Sequence, residues 1–136
     1  MSNVDLPAAE FGYPGPLRDR LIAAILTGAK TTTTSLLAEY ELTGERLPEP
    51  GERYQLIDST AQPVGVVETL DVQTVRLADV HLAHAIGEGE GFTEIAAWRE
   101  AHQRTWNSPE ARGDRGEIAV NDTTLVVLER FRLRSP

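Results

Sequence analysis

A single lysine stands directly before a run of hydroxyl side chains, with Lys30 preceding Thr31–Ser35 in "KTTTTS". A threonine hydroxyl can attack an amide carbonyl when a neighbouring base takes its proton. Lysine serves as that base only if burial or a nearby cation drives its pKa well below the usual value. The same run also fits a plain threonine-rich strand beside a solvated lysine, because β-branched residues favour strands. The residues alone therefore leave two interpretations, an activated nucleophile or an ordinary strand.

The spacing of this run restricts where Lys30 has to lie. Side chains of a strand alternate between its two faces, so Lys30 and Thr33 would point to opposite faces of one ideal strand. Lys30 is therefore expected in the turn just after Gly28, with its long stem reaching back over the strand. Within the strand, the odd-numbered hydroxyl residues are expected on one face and the even-numbered ones on the other.

Two glutamates alternate with glycines in "AIGEGEG", at Glu88 and Glu90. Glycines let a backbone approach a ligand closely, and a carboxylate there can orient a lysine or accept a hydrogen bond from an exocyclic amine. The other interpretation is a solvated acidic loop. A phosphate cradle is excluded, because the interleaved carboxylates would repel the anion.

The next stretch, "WREAHQRTW", places an aromatic ring and an imidazole on one helix face. Trp98 and His102 lie four residues apart, and Arg99 stands next to that stripe. These side chains predict either the wall of a base-stacking pocket or a core tryptophan with a satisfied buried histidine.

The final predicted strand separates charge from apolar residues. Phe131 and Leu133 lie on one face, and three arginines lie on the other: Arg130, Arg132 and Arg134. Such an arginine row contacts phosphates or simply forms the solvated side of the strand. Glu68, inside the β-rich "GVVETL", is expected either to point outward or to be paired.

Charge and composition restrict the class of ligand. The chain of 136 residues carries 13 basic and 21 acidic residues, a net charge of −8, and no cysteine. A protein that grips a long phosphate backbone normally shows a basic footprint, so a small and nearly uncharged ligand fits this chain better. Without cysteine and with scattered histidines, neither a metal site nor a cofactor is expected. No apolar run approaches a membrane span, so a cytoplasmic protein without a membrane partner is expected.

The elements that must position these residues follow from periodicity and turn signals. Pro16 begins a helix that Gly28 ends, and the β-rich stretches alternate with two later helices. The order predicts an α+β fold, a partly closed β-barrel decorated by helices. The predicted segments are a loosely held lead-in (1–15), a helix (16–28), a strand (31–37), a loop (38–52), two strands (53–59 and 64–76), a helix (77–87), a helix capped by Thr93, a loop (107–116) and a hairpin (117–134).

The residues of these motifs and their order along the chain together resemble the ASCH family, which belongs to the PUA-like class. The resemblance is to the longer bacterial branch of that family. The resemblance covers residues 16 to 134. It rests on "LTGAKTTTTSLLAEY", "PVGVVETLDVQTVRLADV", "AIGEGEGFTEIAAWREAHQRTW" and "LERFRLR". Its specific positions are Gly28, Lys30 and Thr33 of a Gly-x-Lys-x-x-Thr motif, and Glu88, Gly89, Trp98, Arg99 and His102 of the second.

The resemblance implies a single PUA-like domain over 16–136, with a cleft between barrel and helices. Small relatives in the family remove the acetyl group from N4-acetylcytidine with a threonine, a lysine and a glutamate. The implied catalytic residues are Lys30 and Thr33 with Glu88, and Glu90 stays open as the carboxylate. The residues implied to bind substrate are Gly28, Ser35, Glu90, Trp98, Arg99 and His102.

Three functions compete for this cleft. The first is metal-independent hydrolysis of an N-acylated cytidine-type nucleoside. The second is a non-catalytic module that binds an RNA base or RNA end. The third is a ribonuclease in which Lys30 stabilises developing phosphorane charge. The net negative charge counts against the ribonuclease and mildly against the RNA-binding module. The oligomeric state is left open.

Overall fold

The ends of the first helix follow from a proline at its start and a glycine after its last turn. Proline at the first helical position loses no needed N–H donor, and a left-handed residue ends the helix most easily when it is glycine. In the computed structural model α1 begins at Pro16 and Gly28 caps it with φ 86°. The predicted start and stop of this helix are confirmed. The structure describes residues 6–9, 11, 14–109 and 120–134.

The described residues include five strands and four α-helices. The five strands form one half-barrel sheet. In chain order they are β1 (Ala8–Ala9), α1 (Pro16–Thr27), β2 (Thr32–Leu36), α2 (Leu37–Thr43), β3 (Arg53–Ile57), β4 (Pro63–Arg76), a 3-10 turn (Leu77–Asp79), α3 (Leu82–Gly87), α4 (Ile95–Trp106) and β5 (Leu125–Arg134).

The sheet has the strand order β1-β3-β4-β5-β2, and only the β1–β3 pair among these is parallel. The longest strand, β4, shifts register between Thr69 and Asp71, and this irregularity bends the sheet. The expected α+β half-barrel with helical decoration is confirmed.

Two apolar clusters fix the helices on the sheet. One packs α1 against the middle of the sheet through Ile25, Leu56 and Phe131. The other places α4 against β5, with Trp98 fully buried beside Val126. The hydroxyl strand β2 lies at the sheet edge beside β5, where it meets α3.

Three local predictions need correction. The loop expected over 38–52 begins as helix α2, because Leu, Ala and Glu favour helix until Gly44 stops it at φ 73°. The helix expected over 77–87 is a 3-10 turn followed by α3, separated by the buried Val80. Thr93 does not cap α4, since the N-cap is Glu94 with no side-chain bond.

Two other predictions concern the chain ends. The segment expected to be a loose lead-in contains Ala8–Ala9, which pairs with β3, and the domain boundary at residue 16 stays a prediction. Most of the predicted loop 107–116 and of the first hairpin strand lies outside the described residues, although β5 itself is present. Among the residues described, no helix combines the length and apolarity that crossing a membrane demands.

Candidate active site

Lys30 is held inside the protein rather than in solvent. Its backbone N–H donates to Ala24 O of α1 at 3.0 Å, which folds the turn back against the helix. The side chain is 4 % exposed, and its Nζ donates to Thr32 O at 2.8 Å. The interpretation of Lys30 as a solvated turn residue is therefore wrong.

Burial tunes this amine toward the neutral form. Desolvation lowers the pKa of Lys30, and the charges of Glu88 and Glu90 oppose that shift only in part. A second donor contact reaches Glu88 O at 3.4 Å, and the Phe11 ring lies 6.0 Å from Nζ. A lysine with a lowered pKa next to a hydroxyl strand meets the condition for a general base.

The hydroxyl strand alternates as its spacing predicts. Thr32 Oγ1 donates to His84 O at 2.8 Å, and Thr34 Oγ1 donates to Glu88 Oε2 at 2.5 Å. Thr32 therefore bonds to α3, whereas Thr34 bonds both to His84 of α3 and to Glu88, the residue that follows this helix. Thr33 stands opposite Glu129 on β5, and Thr33 and Thr34 both line the cleft.

Glu88 is the centre of a closed hydrogen-bond network. Its Oε1 lies 2.9 Å from His102 Nε2, while Oε2 accepts the Thr34 bond. Burial acts to raise the pKa of Glu88, but the bonds from His102, His84 and Thr34 outweigh it, so the pKa falls far below its usual range. The carboxylate stays ionised and has both oxygens occupied.

His102 carries the matching positive charge. Its Nδ1 donates to Trp98 O at 2.9 Å and its Nε2 donates to Glu88, so both ring nitrogens are protonated in this geometry. Burial acts to lower the pKa of His102, but the hydrogen bond and charge of Glu88 outweigh burial and raise it. The Trp98 ring stacks on the imidazole at 4.3 Å between centroids.

The loop that carries Glu88 needs glycine at Gly89. A Cβ there would lie 2.7 Å from Ala29 O, and the residue adopts φ +75°. This close approach places the Glu88 carbonyl over the turn that holds Lys30. The glycine–glutamate loop is thus a structural clamp on the lysine.

Three potential metal ligands meet at the same place. Ligand atoms of Glu88, Glu90 and His102 lie within 4.8 Å of one another, a grouping that the sequence analysis did not expect. With both ring nitrogens donating, however, His102 offers no lone pair to a cation. In the geometry described, the cluster is an ion pair with an exposed glutamate beside it.

A large cleft joins these residues to the barrel. Its volume is about 1140 Å³, and it lies over β2, α2 and β5. It brings together most of the predicted site residues: Lys30, Thr33, Ser35, Glu88, Glu90 and His102. Six carboxyl groups line it against two basic side chains, Lys30 and Arg46, and the carboxyl groups belong to Glu39, Glu45, Glu52, Glu88, Glu90 and Glu129.

Three predicted binding residues lie elsewhere. Gly28 is the helix cap, and Trp98 is fully buried with its ring against His102. Arg99 is ion-paired with Asp122. None of the three lines the cleft among the described residues.

Sequence reasoning missed Glu129 and two tyrosines, Tyr40 and Tyr54, which line the cleft. A signal for Glu129 was present, because it alternates in phase with the apolar Phe131 rather than with the arginines of β5. A carboxylate on the inward face of a strand is unusual unless it is paired or functional.

The fold and this cleft define an α+β half-barrel with a lysine–threonine pair under a glycine–glutamate loop. The family profile described as the ASCH domain matches residues 8–134, nearly the whole chain, so the protein belongs to the ASCH domain family.

Two solved structures share the fold. Protein EF3133 from Enterococcus faecalis V583 is 25% identical with a TM-score of 0.82, and the match covers 94% of this chain and 76% of that one. An ASCH domain from Lactobacillus crispatus JV V101 is 28% identical with a TM-score of 0.80, covering 93% and 78%. No protein with a curated description matches the chain.

Proposed function

We propose that this ASCH domain hydrolyses the amide of an N-acylated cytidine-type nucleoside, with Thr33 as nucleophile and Lys30 as base. One observation carries the proposal. A buried lysine of lowered pKa bonds to the carbonyl of the Thr32–Thr33 peptide, and both Lys30 and Thr33 line one cleft. This pairing of a nucleophile with a tuned base is what amide attack requires.

The reaction begins with neutral Lys30. Its amine takes the proton of the Thr33 hydroxyl while the oxygen attacks the acyl carbonyl, and an ester on Thr33 follows as the carbon–nitrogen bond breaks. Water then hydrolyses the ester and restores both side chains. The hydrogen bond from Lys30 Nζ to Thr32 O places this amine beside the peptide group that joins Thr32 to Thr33.

Glu88 acts in this scheme through position and charge. Its carbonyl oxygen accepts from Lys30 Nζ, and its ionised carboxylate anchors the loop through His102 and Thr34. Because both carboxylate oxygens are occupied, Glu88 is a positioning residue for Lys30. Glu90, exposed and at the cleft, is the more accessible of the two glutamates.

The base of the ligand has aromatic partners in the cleft. Tyr40 and Tyr54 line it, and stacking on such rings is a general means of holding a nucleobase. Trp98 takes no part in this, since its ring is enclosed in the core.

Electrostatics favour a neutral ligand over an RNA strand. The excess of carboxylates over cations at the cleft repels phosphates. The arginine face of β5 is also engaged, because Arg132 and Arg134 pair with Glu68 at 3.3 and 3.2 Å. RNA binding and RNA cleavage therefore have less support than action on a free nucleoside.

The test incubates the protein with N4-acetylcytidine and follows cytidine by chromatography. We expect cytidine from the unmodified chain, none from Thr33→Ala, and full activity from Thr31→Ala. Thr31 is a matched control, because it belongs to the same run but is exposed and does not line the cleft.

A second arm addresses the competing RNA reading. Titration of an RNA oligomer at low and moderate salt reports phosphate contacts, each contributing about one unit to the log–log slope. Oligomer binding with a slope of several units, together with no cytidine release, would make the protein an RNA-binding module.

A further inference from the structure

A second carboxyl group stands beside the nucleophile and takes no part in the network of Glu88. Glu129 on β5 is the register partner of Thr33 on β2. Side chains that face each other across an antiparallel pair have Cβ atoms about 4.5–5.5 Å apart and lie on the same face. Both residues line the cleft, so Glu129 and Thr33 stand side by side on its wall.

The carboxyl is anchored at one oxygen only. Thr69 Oγ1, on the neighbouring strand β4, donates to Glu129 Oε2 at 2.8 Å. No side chain within the described ranges bonds to Oε1, and this atom is not one of the enclosed polar atoms left without a partner. Oε1 therefore faces the cleft, where a ligand atom can reach it.

The two cleft carboxyls differ in the form they favour. Glu88 is ionised, and each of its carboxylate oxygens already accepts a hydrogen bond. For Glu129, burial raises the pKa, the bond from Thr69 opposes the rise, and the charge of Glu52 adds to it. A carboxyl in such surroundings can hold a proton and release it to a developing amine.

Amide cleavage needs such a proton. The departing nitrogen is a poor leaving group as an anion, so a donor must supply a proton as the carbon–nitrogen bond breaks. Lys30 has just received the proton of Thr33 and is held by Thr32 O and Glu88 O. Among the described cleft residues, Glu129 is the carboxyl placed across from the attacking oxygen.

We propose that Glu129 is a further catalytic residue, which protonates the leaving nitrogen as the ester on Thr33 forms and then accepts a proton from the attacking water. The inference rests on the proposed function and assigns a second proton-transfer group to the same cleft.

The steps balance. In the first, the oxygen of Thr33 bonds to the acyl carbon, Lys30 takes the hydroxyl proton, the carbon–nitrogen bond breaks, and the nitrogen takes the proton of Glu129. In the second, water bonds to the acyl carbon and gives its proton to Glu129, while the ammonium of Lys30 returns a proton to the departing Thr33 oxygen. The sum is amide plus water giving amine plus carboxylic acid.

The test compares two leaving groups in Glu129→Gln, which keeps the acceptor for Thr69. N4-acetylcytidine needs a protonated leaving nitrogen, whereas 4-nitrophenyl acetate releases an anion that needs none. We expect kcat/KM for the amide to fall by about 10²-fold or more. The burst of nitrophenolate that reports acylation of Thr33 should be unchanged.

Controls separate this inference from the proposed function. Glu45→Gln removes one charge from the exposed rim of the same cleft and should leave both reactions unchanged. Thr33→Ala should lose both. Equal losses on amide and ester in Glu129→Gln, or no loss on the amide, overturn the assignment of Glu129 alone. Absence of amide hydrolysis by the unmodified chain overturns the proposed function and the assignment together.

Discussion

Replacing Glu88 by glutamine tests the network that holds the lysine, independently of any reaction. Glu88 is 3 % exposed and receives bonds from His102 Nε2 at 2.9 Å and Thr34 Oγ1 at 2.5 Å. Glutamine has nearly the same shape but only one acceptor oxygen and no charge. One donor must therefore lose its acceptor, and His102 loses its counter-ion.

The size of the effect follows from those two bonds. A hydrogen bond to a charged group contributes about 1.5–3 kcal/mol, and removing one partner of a buried ion pair costs about 3–5 kcal/mol. The glutamine oxygen can still accept one of the two bonds, which offsets part of the loss. We therefore expect Glu88→Gln to lower the free energy of unfolding by about 2–4 kcal/mol.

The same network predicts a dependence of stability on pH. The pKa of Glu88 is lowered from 4.5, so its contribution is present above pH 4.5 and is lost as the pH falls through the folded pKa. The pKa of His102 is raised from 6.5, so its contribution is complete below pH 6.5 and is lost as the pH rises through the folded pKa. The pair stabilises the fold most between pH 4.5 and 6.5.

Urea unfolding followed by tryptophan fluorescence, at a series of pH values, measures both effects. The control is Glu90→Gln, two residues away and exposed, which should change the free energy of unfolding by less than about 0.5 kcal/mol. If Glu88→Gln matched that control and kept the wild-type pH profile, the network would contribute nothing to stability and this reasoning would be refuted.

Other substitutions give further expected outcomes. Lys30→Arg should abolish cytidine release from N4-acetylcytidine, because guanidinium stays charged and cannot accept a proton; wild-type rates in that variant would exclude Lys30 as the base. Thr33→Ser should keep part of the activity, since it keeps the hydroxyl, and an inactive serine variant that folds normally would count against the hydroxyl as nucleophile. Gly89→Ala should lower the free energy of unfolding by about 2–4 kcal/mol, because its Cβ would meet Ala29 O; an unchanged urea midpoint would contradict this close approach.

Much of the fold was predictable because local signals and tertiary structure agree. Pro16 and Gly28 mark the ends of α1, and the β-branched run becomes β2 within one residue at each end. Helix α2 was missed because seven residues between a strand and a turn-rich segment show little periodicity. Its boundaries depend on packing near the sheet edge, which local propensity does not report.

The site was predictable where a motif fixes short-range spacing. Lys30 and Thr33 meet the cleft, and the loop at Glu88 clamps the lysine. The burial of Trp98 in the core is one of the two interpretations that its helix face left open. The pairing of Glu129 with Thr33 was out of reach, because it depends on the long-range register between β5 and β2. The alternation of side chains along β5 indicated that Glu129 points inward, but this alternation does not reveal which strand pairs with β5.

Covalent trapping of the acyl group tests the central claim most directly. The protein is mixed with excess N4-acetylcytidine, quenched in acid within the first turnover, digested and mapped by mass spectrometry. We expect an acetyl group at the Thr33 hydroxyl of the unmodified chain, and at the serine hydroxyl of Thr33→Ser. Cytidine release without any acylated residue, or acetyl found on Thr34 instead, would contradict it.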